Sequence, residues 1–296
     1  MPTFQTPKPI TATIEINAGD IRVVASGRTD TVVEIIPRNA SDAADIQAAA
    51  EARVEYSGGR LLVKSTKNWK QYLPFSSGAL IDVLLELPAG SRVEASTGFG
   101  KVRAEGRLGQ CRLQTAMGDL SLDEAESATV HTSFGDIAVD RVAGGLNATS
   151  GSGEIRVGEV GGNAEIRNAN GATTIGSVGG DLRARAANGS IAIETARNAV
   201  WAKTANGSIR IGAVERGTVE IETSVGELDV GIRPGTAAWL DARSQFGNVR
   251  SELDAIDQPQ PADRTVEVRA HTSVGDIVIH RAADASAPND PMETIE

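Results

Sequence analysis

Glycine returns along this chain at an interval that hardly changes. Gly100, Gly118, Gly135, Gly153, Gly171, Gly189, Gly207, Gly226, Gly247 and Gly275 follow one another at 18, 17, 18, 18, 18, 18, 19, 21 and 28 residues. The phrase around them repeats as well: Ala186-Ala187-Asn188-Gly189-Ser190-Ile191 is followed by Thr204-Ala205-Asn206-Gly207-Ser208-Ile209. A short period held over ten copies rules out most compact folds. It is the mark of a solenoid, in which each coil buries its apolar face only against the coils beside it.

Within each copy the apolar positions are fixed relative to the glycine. Seven and five residues before it stand pairs such as Leu182 and Ala184 or Val200 and Ala202. Two and four after it stand Ile137 and Val139, Ile155 and Val157, Ile191 and Ile193. Another apolar residue recurs seven after it, as in Val142, Val160, Val178 and Val214. A spacing of two is that of a strand with one face turned inward. The expected fold is therefore all-β: a parallel β-helix of about ten rungs, roughly 50 Å long at the usual strand separation. The inward spacings lack the hexapeptide beat of left-handed β-helices, and crossover preference favours the right hand.

Before the array the pattern differs. Ile10 to Val24 reads as a first rung turning at Ala18-Gly19-Asp20, and Thr31 to Ile36 as a strand stopped by Pro37. Ser41 to Ala52, rich in alanine and free of glycine and proline, reads as a short helix. Val54–Tyr56 and Leu61–Lys64 flank Gly58-Gly59 as a hairpin, and Leu80–Leu87 is a further strand. Between them lies an aromatic loop with Trp69, Tyr72 and Phe75. Residues 1–90 are thus the first rung plus an α+β excursion that caps it, 91–282 the solenoid, and 283–296 a polar, disordered tail. A cap is needed because a solenoid end leaves strand edges and an apolar cross-section open.

Composition narrows the function classes. A formal charge of −10 argues against general nucleic-acid binding. The single cysteine, Cys111, stands at an apolar repeat position and reads as a buried thiol, and His131, His271 and His280 have no metal-ligand spacing. No cofactor or metal site is expected. The start of the chain lacks a signal-peptide core and no apolar run spans a bilayer, so the expectation is a cytoplasmic protein without membrane insertion. Asn147-Ala148-Thr149, Asn188-Gly189-Ser190 and Asn206-Gly207-Ser208 match a glycosylation pattern, but without a secretion signal they read as turn chemistry.

Three rows up the solenoid could carry function. The residue before each glycine is asparagine in the middle of the array, and Asn170, Asn188 and Asn206 are expected to form a corner ladder of side-chain amides. The residue after it is often acidic (Asp119, Asp136, Glu154, Glu227, Asp276), which reads as a solvated turn carboxylate rather than a calcium ligand. Four before it, Arg167, Arg185 and Lys203 make a basic ladder, with Arg183 and an exposed Trp201 beside them. Those five residues are the candidate binding face for a protein or an anionic or carbohydrate polymer.

The phrases Thr-Ser-Phe-Gly-Asp-Ile (132–137), Thr-Ala-Asn-Gly-Ser-Ile (204–209) and Thr-Ser-Val-Gly-Asp-Ile (272–277), with Leu87-Pro88-Ala89-Gly90-Ser91 before the array, resemble the bacterial putative-adhesin family of β-strand-repeat proteins, a domain family of unknown function. The resemblance covers most of residues 10–282. It implies an adhesin-like β-solenoid and no catalytic residues to carry over. The leading expectation is a non-catalytic scaffold, monomeric or weakly self-associating. The alternatives are a polysaccharide-lyase-like enzyme and a self-assembling cytoskeletal β-helix. No paired carboxylates, GxSxG elbow or phosphate loop supports the enzyme.

Overall fold

The computed structural model describes residues 2–65, 79–253 and 264–282. Over these the chain winds as a parallel β-solenoid, and each coil contributes one strand to each of two sheets. The first sheet takes the strands that precede the landmark glycines, such as Ala164–Asn170, Leu182–Asn188 and Val200–Asn206. The second takes those that follow, such as Thr173–Val178, Ile191–Ala196 and Ile209–Val214. Successive coils lie in register, with Leu182 opposite Val200 and Ile191 opposite Ile209. Those four side chains are all buried, so the period of the sequence is the period of the core.

The landmark glycines are required twice over. Gly189 and Gly207 take φ of +151° and +147°, which a side chain rarely tolerates. A Cβ on Gly189 would also sit 2.0 Å from the Gly171 carbonyl oxygen of the coil before. The corners stack so closely that only a hydrogen fits between them.

Beside the glycines runs a row that the phrase contains but whose role only the structure exposes. The residue three before the glycine is buried and usually a threonine. Its hydroxyl donates to the glycine carbonyl of the preceding coil: Thr115 to Gly100 at 3.1 Å, Thr204 to Gly189 at 3.1 Å, Thr223 to Gly207 at 2.9 Å. Most corner carbonyls thus gain a donor from the next coil, as a buried acceptor requires.

At the first end, Arg60–Lys64 and Ile81–Pro88 pair in parallel onto the strands Thr11–Ala18 and Ile21–Ser26 of the first rung. Arg53–Ser57, Asp30–Pro37 and Thr3–Gln5 then close the sheets with antiparallel pairs. The helix spans Ala43–Glu51, capped by the Asp42 carboxylate accepting from the Ala44 N–H. Its inward residue is Asp45, which accepts from the Asn39 and Leu80 backbone N–H groups, while Ile46 faces solvent. The loop with Trp69, Tyr72 and Phe75, the polar insert after Leu253 and the tail beyond Ala282 lie outside the described residues.

At the other end the coils do not stack in sequence order. Arg264–Val274 pairs with Gly217–Val225 on one side and with Thr236–Phe246 on the other. The Gly226 N–H reaches the Val274 carbonyl at 2.9 Å, and the Gly275 N–H the Phe246 carbonyl at 3.0 Å. The last coil is therefore inserted beneath the one before it. Leu240 and Ala242 occupy inward positions of the outermost strand but stay half-buried, since no coil among the described residues covers them.

Candidate functional site

The outward residues of the first sheet inherit the register of the core. Arg167, Arg185 and Lys203 are aligned partners on adjacent strands, and so are Glu165, Arg183, Trp201 and Glu220 two positions earlier. All five predicted binding residues therefore lie on one face of three consecutive coils.

They are not equivalent. Arg167 is held by Glu165 on its own strand, and Lys203 by Glu222 of the next coil at 2.8 Å. Exposed pairs of this kind are worth little in stability, but they reduce the charge a ligand would meet. Arg183 and Arg185 make no ion pair among the described residues. Instead their guanidinium carbons lie 5.5 and 4.5 Å from the centroid of the Trp201 ring. The quadrupole of the indole stabilises each cation by about 0.5–1 kcal/mol at such a site, and holds two like charges together.

This packing corrects one expectation. Trp201 is half-buried, not exposed, because the two arginines cover it. Among the described residues the exposed indole is Trp239, 65% accessible on the outermost strand, which sequence reasoning did not single out. Nothing in the repeat marks Trp239, since its exposure follows from being at the end of the stack.

A groove of about 800 Å³ runs along this side of the solenoid, past Arg112, Glu165, Arg183, Trp201 and Glu220. Its floor is the line where the first-sheet strands begin, and small residues such as Ala128, Gly145 and Ala164 keep it open. Cys111 lies in that floor, 5% accessible, with its thiol pushed up to about 12 by burial. A thiol held protonated in this way is a packing group and not a nucleophile.

The other two rows are engaged in the corners. Asn206 donates to Asn188, and Asn188 to Asn170, each amide bond at 2.9 Å, while Asn170 donates to the Gly151 carbonyl at 3.2 Å. The acidic row accepts backbone N–H groups of the neighbouring coil: Glu154 N–H to Asp136 at 2.7 Å, Asp136 N–H to Asp119 at 3.2 Å. Ser190 and Ser208 do the same where the acid is missing. Among the described residues no three His, Cys, Asp or Glu side chains gather as a metal site. His280 is tied to Asp229 at 2.8 Å.

A family model described as Toastrack DUF4097 matches residues 11–284. Among solved structures the chain is similar to a putative adhesin from Bacteroides fragilis NCTC 9343, at 13% identity over 95% of each chain with a TM-score of 0.37. It is also similar to a putative adhesin from Parabacteroides distasonis ATCC 8503, at 10% identity over 94% of this chain and 95% of that one, with a TM-score of 0.32. A putative cell adhesion protein from Clostridium sporogenes ATCC 15579 matches at 11% identity over 95% and 98%, with a TM-score of 0.21. No curated protein matches the chain.

Proposed function

Since this chain belongs to the Toastrack DUF4097 family, we propose that it is a non-catalytic, adhesin-like β-solenoid scaffold whose first sheet binds an anionic partner through Arg183, Arg185 and Trp201. The observation that carries the reading is the pair of guanidiniums stacked on one indole, without carboxylate partners among the described residues, on a chain of net charge −10. Each planar fork keeps its N–H edge free for a bidentate carboxylate, sulfate or phosphate. The groove alongside mixes Arg92, Arg112 and Arg183 with Glu94, Glu165, Asp181 and Glu220, so an extended partner is gripped by its anionic groups at the two stacked arginines and not along the whole groove. Arg167 and Lys203, already compensated, act as a polar rim.

Calorimetric titration with acidic polysaccharides, neutral polysaccharides and acidic polypeptides tests this. Salt-sensitive binding of an acidic class, lost in the Arg183→Glu/Arg185→Glu variant, is expected. Equal binding of neutral and acidic polymers, or binding that survives the double reversal, would remove the reading.

A further inference from the structure

The corner ridge formed by the residues just before the landmark glycines carries a second surface. Of the ten large hydrophobic side chains exposed among the described residues, six lie on this one row, so their exposure is not random scatter. Phe99, Met117 and Phe134 are aligned partners at one end, 50–57% accessible. Val225, Val274 and Phe246 are aligned at the other, 46–69% accessible. Between them the register runs through Ser152, Asn170, Asn188 and Asn206 without a break.

Read up the stack from Phe99 to Phe246, the ridge is three apolar residues, four polar, three apolar. That order is the same in both directions, and its midpoint falls between Asn170 and Asn188. The inserted last coil sharpens the match, because it places a phenylalanine at the outer end of each apolar triplet, with only the small Ala18 of the first rung beyond Phe99. A chemical palindrome on a continuous ridge suits one partner above others, which is an identical ridge running the opposite way.

We propose that two copies of this chain associate along this ridge, antiparallel, about a twofold axis crossing it between Asn170 and Asn188. Phe99 then meets Phe246 of the second copy, Met117 meets Val274, Phe134 meets Val225, and Asn170 meets Asn188. The shape allows it. Beside the ridge lies a groove of about 420 Å³ with Gly151, Ala169 and Ala187 in its floor and Arg167 and Arg185 on its far wall. The small residues beside the polar middle of the ridge leave room for two copies to approach there.

The six apolar side chains offer about 600 Å² per copy, or about 1,200 Å² in all, the lower end of specific interfaces. A reversible dimer follows, with its polar centre matched amide to amide at Asn170 and Asn188 and hydroxyl to amide at Ser152 and Asn206, so that no donor is buried alone. The groove lined by Arg183 and Trp201 lies on the far side of the arginine row from this ridge, with Arg185 between the two, so a dimer would present two such grooves.

Sedimentation velocity on the full chain over a micromolar concentration series tests the proposal. The wild type is expected to shift from 30.8 kDa to twice that mass. Met117→Glu and Val274→Lys, both on exposed positions, should each weaken the dimer more than about tenfold with unchanged circular dichroism. Mixing the two should restore it, because the antiparallel seam pairs position 117 with position 274. A wild type that stays monomeric throughout overturns the proposal, even if it binds lipid vesicles through the ridge. So does a dimer that survives Met117→Glu, which would assign association to another surface such as the open Thr236–Phe246 edge. Loss of both homodimers without recovery on mixing overturns the antiparallel pairing. None of these outcomes depends on a ligand binding at Trp201.

Discussion

Asn168 performs in its own coil the task that Ala186 leaves undone in the next. Residue 186 stands where the threonine row would donate to the Gly171 carbonyl, and alanine has nothing to donate. The Asn168 Nδ2 reaches that carbonyl at 3.1 Å while also donating to Gly153 at 3.0 Å, the bond its own position in the row requires. The cost is a buried Oδ1 without a hydrogen-bond partner. Asn168→Thr should therefore destabilise by about 1–2 kcal/mol, since it strips Gly171 of its side-chain donor. Ala186→Thr alone should also destabilise, by crowding the larger amide. The double variant restores the regular row and should return to within about 0.5 kcal/mol of wild type or exceed it, a coupling that urea denaturation would measure.

A corner glycine and a hairpin glycine should respond differently to the same substitution. Gly189→Ala drives a Cβ to 2.0 Å from the Gly171 oxygen at φ +151°, and should cost more than about 3 kcal/mol. Gly58→Ala, at φ +56° with open space around it, should cost about 1 kcal/mol. Thermal denaturation of the two variants gives the comparison directly.

The basic ladder should divide into two classes. Reversing Arg183 or Arg185 removes a cation stacked on Trp201, and should weaken an anionic ligand more than about tenfold. Reversing Arg167 or Lys203, each already facing a glutamate, should weaken it less than about threefold. Titrating the four single variants with one acidic ligand tests the ranking.

Acid should loosen the corners in a defined window. The Lys101 side chain and the Asp136 backbone N–H hold the Asp119 carboxyl below its ordinary 3.8. A folded-state value below the unfolded one means that the stabilisation is full above about pH 3.8 and fades as pH falls through the lower value. Lys101 is raised above 10.5 by the same Asp119, so at the alkaline end the contribution is present below 10.5 and fades as pH rises through the higher value. Asp119→Asn should flatten both limbs of a stability–pH curve.

Cys111 should be silent until the solenoid opens. With its thiol at about 12 instead of 9.0, its thiolate population in the native state falls by a factor on the order of 10³. Labelling by a thiol-specific disulfide reagent at mildly alkaline pH should be at least about a hundredfold slower than for a free thiol, and should accelerate on adding denaturant.

Much of this architecture is written in the repeat, because a solenoid coil contacts mainly its neighbours and the local pattern is the whole pattern. Which side chains point inward, where glycine is obligatory and which residues share a row all follow from a period of 18. Even the alignment of Arg167, Arg185 and Lys203 is legible that way. The threonine row was visible as letters in the phrase, but its partner carbonyl sits one coil away, so its purpose appears only when the coils are stacked. Charge pairing was likewise hidden, since whether an arginine meets a glutamate or an indole depends on rotamers across neighbouring strands. The ends were the least legible part. There the repeat loses a neighbour, and contact between non-adjacent segments decides the order. Spacing alone cannot say that Thr236–Phe246 lies outermost with Arg264–Val274 beneath it.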